Sequence, residues 1–191
     1  MSLKKLHTRT VVLIALMLVV SLGRLVSYNF PYTLSNFTPL GAIALFGGAY
    51  FTDKWKAYLT VFGTLFLSDI LINYLYTSKL ILWYSGAIWV YLPFLLMVFI
   101  GTFIKKVSVG NVAFAALIAV LFHWLFTDLP FFYGAQYPHT LGGYGLSLVA
   151  AIPFERNMLL GDLVFGAILF GGFELAKTKY TILCTKSELA V

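Results

Sequence analysis

The residues best suited to chemistry gather in one stretch, Phe122–Gly161. It contains His123 and His139, which are two of the three histidines, together with Asp128, a Glu-Arg pair, three prolines and a row of aromatic side chains. The stretch is too polar and too interrupted to cross a bilayer, yet too aromatic for an ordinary solvated loop. We interpret it as the lid and wall of a site that opens at a membrane surface.

The composition places this stretch within a membrane protein. Hydrophobic residues make up 61% of the 191-residue chain, charged residues 10%, and the mean hydropathy is +0.92, which excludes a soluble globular domain. A spanning helix needs roughly 20 apolar residues, so the chain has room for about six. We predict an all-α integral membrane protein with six transmembrane helices. The net charge of +6 comes from basic residues that flank apolar runs, so we expect no nucleic-acid partner.

The apolar runs give the predicted organisation of the chain. Six spans are expected at residues 11–26, 39–51, 57–76, 80–104, 107–126 and 157–175. Residues 1–10 form a basic N-terminus, 11–176 a single transmembrane domain with a large extracytoplasmic loop at 127–156, and 177–191 a tail. Of the 13 Lys and Arg residues, ten then fall on the side of the N-terminus, two (Lys79 and Arg156) on the other side, and Arg24 within a span. The positive-inside rule therefore predicts that both termini are cytoplasmic.

This topology places five ionisable side chains in the outer half of the membrane: Arg24, Asp69, His123, Asp128 and Asp162. Each would cost at least about 2.5–3.5 kcal/mol if it faced lipid at mid-membrane, so they should face the bundle interior or water. Asn73 shares a helix face with Asp69, four residues away. Two interpretations stay open: a ligand site, or an internal network such as Arg24 with Asp69 or Asp162 that only locks the helices together.

Motifs for catalysis and metal binding are missing from the sequence. His123 and His139, with Asp128 or Glu155, suggest a metal hypothesis, but their spacing matches no metal motif. We find no H-E-x-x-H, G-x-S-x-G, Walker loop or usable G-x-G-x-x-G. We therefore predict no metal, no cofactor and no enzymatic activity, and keep an intramembrane enzyme that uses His123 and Asp128 as an alternative. The single cysteine, Cys184, indicates neither a disulfide framework nor a metal cluster.

Small residues on two of the predicted spans could allow close helix packing. Ala44 and Gly48 lie on the second span, and Gly166 and Gly171 lie on the sixth. Internal packing is the simplest explanation. The alternative is a docking groove for another membrane subunit, with these four residues as the candidate contacts.

Three motifs relate the chain to known proteins: S-N-F-T-P-L-G-A-I-A-L-F-G-G-A-Y-F at 35–51, L-S-D at 67–69, and A-I-P-F-E-R-N-x-L-x-G-D at 151–162. Through them the chain resembles a small, uncharacterised bacterial membrane family assigned to transport, with a match spread over residues 24–175. Its layout is also similar to the substrate-binding S components of energy-coupling-factor vitamin transporters.

The second resemblance implies a location in the bacterial inner membrane and a ligand pocket in the outer half of the bundle, with loops that close over it. It also implies docking through small-residue helix faces onto a transmembrane coupling subunit driven by ATPases. S components usually carry Ala-x-x-x-Ala on the first helix. Residues 11–26 lack this pattern, and Ala44 with Gly48 is only a partial substitute. No vitamin-specific motif is present, so the resemblance does not identify the ligand.

The leading hypothesis is a substrate-capture subunit that binds a vitamin-like molecule or related nutrient for uptake, with membrane lipid around it. The candidate substrate-binding residues are the polar and aromatic side chains expected to converge in the outer half: Arg24, Asn36, Asp69, Asn73, His123, Asp128, Tyr133, Tyr137, His139, Tyr144, Arg156 and Asp162. The alternatives are a structural or assembly protein without a ligand, and the intramembrane enzyme.

Overall fold

The computed structural model describes residues 3–84 and 86–185, with side chains from Thr8 onward. In this part of the chain the fold is all-helical, without a β-strand. The helices are α1 (Leu3–Ser21), α2 (Arg24–Asn29), α3 (Leu40–Tyr50), α4 (Lys54–Thr77), α5 (Ala87–Gly101), α6 (Val109–Thr127), α7 (Leu141–Gly166) and α8 (Gly172–Lys179). A π-helical segment, Ala167–Gly171, joins α7 to α8, and single 3-10 turns lie at Pro130–Tyr133 and Thr181–Leu183.

Within the described residues, four helical segments are long and apolar enough to cross a membrane: Thr8–Asn29, Lys54–Thr77, Val109–Thr127 and Leu141–Lys179. The all-helical class with membrane-spanning candidates is therefore confirmed, while six spans and the side of each terminus stay predictions. Helices α3 and α5 are apolar but shorter, with 11 and 15 residues. At 1.5 Å per residue α3 rises about 16 Å, which is roughly half of the hydrocarbon thickness.

Helix α3 lies at the centre of the fold. Every one of its residues except Ala49 is buried, and it packs against α1, α4, α5, α6 and α7. Its sequence, L-G-A-I-A-L-F-G-G-A-Y, is apolar on all sides, which is typical of a helix surrounded by other helices. The rings of Phe46, Phe170 and Phe173 extend this core, at centroid distances of 5.4 and 5.7 Å from Phe46.

Small residues bring α3 and α5 into backbone contact. A Cβ atom at Gly48 would clash with the carbonyl oxygen of Val98, and one at Gly101 would clash with the carbonyl oxygen of Leu45. Ala44 is fully buried on the same helix. Ala44 and Gly48, two of the candidate docking residues, are thus used for packing inside the chain, and they are not available at its surface.

The other two candidate docking residues lie elsewhere. Gly166 and Gly171 line an apolar groove of about 330 Å³ beside the first turn of α6. Gly171 is exposed, and a Cβ atom added to it would meet nothing within 4 Å. Docking of a partner at this groove stays a prediction.

Two basic side chains satisfy the backbone at the C-terminal end of α3. The guanidinium of Arg9, which is buried, donates from Nη2 to the carbonyl oxygen of Tyr50 at 3.1 Å. Lys54 Nζ donates to the carbonyl oxygens of Gly48 and Phe51, each at 2.8 Å. Positive charge at this end complements the helix dipole and fills the place of the missing next turn.

The long loop predicted at 127–156 is shorter than expected. Helix α7 begins at Leu141, where the Thr140 side chain caps it by accepting a hydrogen bond from the N–H of Gly143 at 3.1 Å. The helix then continues through Pro153 to Gly166. Neighbouring helices can accommodate a proline within a membrane helix, so the helix-breaking residues in this stretch were a misleading signal.

The predicted tail at 177–191 is ordered over its first part. Helix α8 continues to Lys179, and Leu183 is buried against α1 in the following turn. Arg9 reaches this turn as well, donating to the carbonyl oxygen of Leu183. Residues 186–191 lie outside the described part of the chain.

Glu174 and Lys177 form an ion pair on α8, at 2.7 Å, in which the Lys177 side chain is only 11% exposed. The Tyr50 hydroxyl donates to the same Glu174 carboxylate, and the Lys177 ammonium lies 5.4 Å from the centre of the Tyr50 ring. This pair therefore helps to hold α8 against α3.

The backbone contact of α3 with α5 predicts a strong effect of Gly48→Ala. The added methyl group forces the two helices apart, so we expect unfolding to become easier by about 1–3 kcal/mol. Gly63→Ala is the matched control, because a Cβ atom there meets nothing within 4 Å, and alanine favours a helix interior by roughly 0.5–1 kcal/mol. Thermal melts in detergent check both variants. Equal melting temperatures for Gly48→Ala and the parent would contradict the packing described here.

Candidate functional site

Because α3 is short, the bundle has open space beyond the N-terminal end of this helix. A cavity of about 580 Å³ lies there. Its floor includes Thr38 and Leu40, and its walls come from α2, α4, α5, α6, α7 and the 30–39 connection. Five of the predicted substrate-binding residues line this cavity: Arg24, Asn36, His123, Asp128 and Tyr133.

The other seven predicted residues do not line the cavity: Asp69, Asn73, Tyr137, His139, Tyr144, Arg156 and Asp162. Their positions fall into three groups. Asp69 and Asp162 are buried behind the walls, where they hold helices together. Tyr137 and Tyr144 belong to the segment between α6 and α7 or to its edges. Asn73 is half-buried on α4, and His139 and Arg156 are exposed.

Arg24 reaches the cavity wall as one member of an ion pair. Its Nη1 forms a salt bridge with the Asp69 carboxylate and lies 2.8 Å from Ser68 Oγ. The Tyr84 hydroxyl donates to the second oxygen of Asp69 at 3.2 Å. The sequence allowed Arg24 to pair with either Asp69 or Asp162, and the structure has the pair with Asp69.

His123 is held by a carboxylate that the sequence analysis did not include among the binding residues. Its Nδ1 lies 3.1 and 3.3 Å from the two oxygens of Glu155, and 3.3 Å from Thr127 Oγ1. A carboxylate accepts, so this contact places a proton on Nδ1. Nε2 has no partner among the described residues and belongs to a ring that lines the cavity. A neutral imidazole then offers Nε2 as an acceptor, and a protonated one offers it as a donor.

Glu155 was missed because residues 141–156 were read as a loop. In the actual helix the buried face repeats at intervals of three or four residues: Gly143, Ser147, Ala151, Glu155, Met158, Asp162 and Gly166. Glu155 and Asp162 are seven residues apart and thus share this face. Helical spacing counted back from Asp162 would have found Glu155.

Asp128 caps the end of α6 at the cavity wall. Its carboxylate accepts a hydrogen bond from the Tyr133 hydroxyl, and its backbone carbonyl accepts one from Ser147 Oγ at 2.6 Å. Burial raises the pKa of the Asp128 carboxyl; the Tyr133 hydrogen bond opposes this rise, and the Glu155 carboxylate adds to it. Burial likewise raises the pKa of the Tyr133 hydroxyl. The short turn that carries Tyr133 is thereby tied to α6.

Asp162 forms a joint with the start of α3. Its Oδ1 accepts from the backbone N–H of Ala42 at 2.8 Å, and its Oδ2 is buried without a hydrogen-bond partner among the described residues. A Cβ atom at Gly41 would clash with this carboxylate, and one at Gly161 would lie 2.7 Å from the carbonyl oxygen of Thr38. Asp162 therefore caps a helix from outside its own chain segment. It is not a wall residue of the cavity.

The 30–39 connection closes one side of the cavity and is fixed to α7. Asn157 Nδ2 donates to the carbonyl oxygens of Thr33 and Ser35, each at 3.0 Å. Ser27 Oγ donates to the carbonyl oxygen of Phe37. Asn36, between these anchors, has a φ of 61°, a left-handed conformation that asparagine tolerates well. Its side chain is therefore displayed from a firmly held loop.

Tyr144, in the first turn of α7, and Tyr137, in the segment before this helix, have separate roles. Tyr144 donates from its hydroxyl to the carbonyl oxygen of Leu125 at 2.7 Å and so joins the two helices. Tyr137 packs edge-on against Tyr133, with 5.4 Å between the ring centres. In the described residues, no group of three or more His, Cys, Asp or Glu side chains is arranged to hold a metal ion.

These observations define an all-helical protein with candidate membrane-spanning helices and a polar cavity near one end of the bundle. Residues 4–185 match the model of DUF6580, a family of unknown function, and the chain belongs to this family. No curated protein and no solved structure matches the chain.

The joint between α7 and α3 predicts different effects for two variants of Asp162. Asp162→Ala leaves the buried N–H of Ala42 without an acceptor, so we expect a loss of about 1–3 kcal/mol in stability. Asp162→Asn keeps an oxygen that can accept this bond and should stay close to the parent. Thermal melts of both variants in the same detergent test the assignment. An alanine variant as stable as the asparagine variant would show that the cap is unimportant.

The environment of Asp128 predicts a pH-dependent stability. A carboxyl whose pKa is raised by folding stabilises the fold at low pH, and this contribution is lost as the pH rises through the raised value. Asp128→Asn stays neutral at every pH and can still accept from Tyr133. We therefore expect it to match the parent near pH 4 and to be more stable than the parent at pH 8.

Melting temperatures measured from pH 4 to pH 8 decide this point. Asp53→Asn is the control, because the Asp53 carboxylate is 49% exposed and, among the described residues, pairs with Lys56 at the opposite end of the bundle. Parallel curves for the parent and Asp128→Asn would mean that the Asp128 carboxyl has no influence on the pH dependence.

Proposed function

We propose that the chain crosses a bacterial inner membrane six times, with both termini in the cytoplasm. Arg9 and Lys54 meet at the C-terminal end of α3, and α5 and α6 join nearby through the segment that carries Lys105 and Lys106. The cavity lies beyond the other end of α3. The positive-inside rule supports a cytoplasmic position for the basic end, so the cavity opens to the extracytoplasmic side. In this arrangement α3 and the 30–39 connection together make the second crossing.

We propose further that the protein is the substrate-capture subunit of an uptake system for a vitamin-like molecule or related nutrient. The observation that carries this proposal is the cavity of about 580 Å³ with the unpartnered Nε2 of His123 in its wall. Small-molecule sites usually occupy about 300–1,000 Å³ and combine apolar walls with a few placed polar groups. The cavity has both features.

The residues of the wall give the proposed site its contacts. The Glu155 carboxylate orients the His123 ring, so that Nε2 meets the ligand in a fixed direction. The Arg24 guanidinium uses Nη1 to bond Asp69 and Ser68, and its other N–H groups can donate to the ligand. Tyr133, on the short turn after α6, stands at the edge where a loop can close over the ligand and exclude water.

Release of the ligand requires energy from outside the chain, because the sequence has no nucleotide-binding motif. The resemblance to S components suggests a transmembrane coupling subunit driven by ATPases as the partner. The groove lined by Gly166 and Gly171 lies toward the basic end of the bundle and is the surface that we assign to this contact.

A structural or assembly role is the second candidate. The pair of Arg24 with Asp69 and the contact of Asp162 with Ala42 favour it, because both link helices and neither carboxylate lines the cavity. Under this reading, Asp69→Asn and His123→Ala lower thermal stability and affect no uptake process specifically.

An intramembrane enzyme is the third candidate. The contact between Glu155 and His123 favours it, since a carboxylate that orients an imidazole is a common arrangement for a general base. The original form of this hypothesis paired His123 with Asp128, whereas the Asp128 carboxylate is bonded to Tyr133. Turnover of an added compound that is lost in both Glu155→Gln and His123→Ala would support the enzyme.

The capture function predicts a bound molecule in the isolated protein. Native mass spectrometry of protein extracted gently from its own membranes should show a stoichiometric small molecule. His123→Ala removes the Nε2 contact, so we expect at least about a tenfold loss of affinity and a mostly bare protein. His139→Ala is the matched control, because His139 is exposed and does not line the cavity.

Two results would contradict the capture function. The first is a parent protein that is always bare, in particular if it carries a second membrane subunit. The second is an equal loss of the small molecule in His123→Ala and His139→Ala, which would place the bound molecule outside the cavity.

A further inference from the structure

The positive charge of the cavity is already neutralised by the protein itself. Arg24 is the sole lysine or arginine among the described residues that line the cavity. Its guanidinium is bound to the Asp69 carboxylate, which lies behind the wall. An anionic ligand would therefore have to compete with Asp69 for this charge. The α2 side of the cavity is close to neutral.

The opposite wall has an excess of negative charge. Asp128 at the end of α6 and Glu155 on α7 both line the cavity, and both are buried, with 6% exposure each. His123 is the one basic group beside them, and its Nδ1 contacts Glu155 alone of the two carboxylates. One imidazole cannot neutralise two carboxylates. Buried carboxylates are costly without a counter-charge, and a ligand could supply it.

Aromatic side chains make up part of the remaining wall. Tyr28 and Tyr76 line the cavity and contact each other edge-to-face, with 5.0 Å between the ring centres. Phe94, Tyr133 and Phe154 line other parts of the same cavity. Aromatic faces attract cations and also pack against flat apolar groups. They offer little to a carboxylate or a phosphate.

The free nitrogen of His123 adds a directional requirement. With its proton on Nδ1 toward Glu155, the neutral His123 ring in the cavity wall has Nε2 left as a hydrogen-bond acceptor. Asp128 and Glu155 can only accept as well while they are ionised. The wall formed by α6 and α7 is thus matched to a ligand group that donates several N–H hydrogen bonds and has a positive charge.

From this arrangement we propose that the ligand of the capture site is a small organic cation with N–H donors, such as a protonated amine, an amidinium or an N-heterocyclic cation. Its charged group lies against Asp128, Glu155 and His123, and its apolar part packs among the aromatic side chains. This inference rests on the capture function proposed above and specifies the class of its substrate.

Three probes of equal shape and different charge test the proposal: benzamidine, benzamide and benzoate, at pH 7.5. Their dissociation constants are measured on the purified full chain in lipid nanodiscs. We expect benzamidine to bind roughly tenfold more tightly than benzamide, since the charge-assisted bonds are lost in the amide. Benzoate should bind more weakly still, because it meets the two carboxylates.

Two variants test which side chains cause the preference for benzamidine over benzamide. Glu155→Gln and Asp128→Asn each keep the size of the side chain and remove one negative charge, so each should reduce the ratio of benzamidine to benzamide affinity. Asp53→Asn removes an exposed carboxylate at the opposite end and should leave the ratio unchanged. Circular dichroism and gel filtration of each variant show that it is folded before binding is measured. A ratio that is the same in all three variants and the parent would refute the assignment.

The outcomes separate this inference from the capture function. If benzamide or benzoate binds as tightly as benzamidine, the cavity is a small-molecule site, but the ligand class is wrong. If no probe binds at millimolar concentration while native mass spectrometry shows a bound neutral or anionic molecule, the capture function stands and the cation is refuted. If no probe binds and the protein is also bare, both proposals fail.

Discussion

The structure depends on one constraint: α3 is too short to reach both surfaces of a membrane, so its polar ends lie inside the bundle. Unpaired backbone groups in such a place are costly, and the chain supplies side-chain partners for them. Asp162 accepts at the N-terminal end, and Arg9 and Lys54 donate at the C-terminal end. These contacts fix α1, α4 and α7 around the central helix.

The same constraint creates the cavity. A helix of full length would fill the core from end to end, whereas α3 leaves the space beyond its N-terminus to the 30–39 connection and to the polar side chains around it. Asn157 holds the connection in place, and Glu155, two residues earlier on α7, orients His123 on α6. Residues that line the cavity and residues that join helices therefore alternate along α7: Glu155 lines the cavity, and Asp162 caps α3. This explains how one short motif, E-R-N-x-L-x-G-D, serves both.

Much of the fold and part of the site could be predicted from sequence. Hydropathy identifies the membrane class. Arg24, His123 and Asp128 are expected at a similar depth, and charged side chains turn away from lipid into the bundle, so the sequence predicts that they lie close together. The start of α7 could not be predicted in this way, since Pro153 and the nearby glycines resemble a loop unless the neighbouring helices are known. Likewise, Gly48 indicates close packing, but only the structure shows that α5 of the same chain, and not a partner, is the neighbour. Asp162 and Glu155 have different roles because they contact different partners, the N–H of Ala42 and the ring of His123. The local sequence does not specify these partners.

The central proposal is that the cavity opens on the side of the membrane opposite the lysine-rich end. Its most direct test is labelling of single cysteines, in a Cys184→Ser background, with a membrane-impermeant thiol reagent on intact cells. Thr127 lines the cavity, so a cysteine at this position should be labelled from outside the cell. Lys105→Cys, at the basic end, should be labelled only after the cells are opened. A Thr127→Cys variant that is labelled only in opened cells, or not at all, would contradict the account.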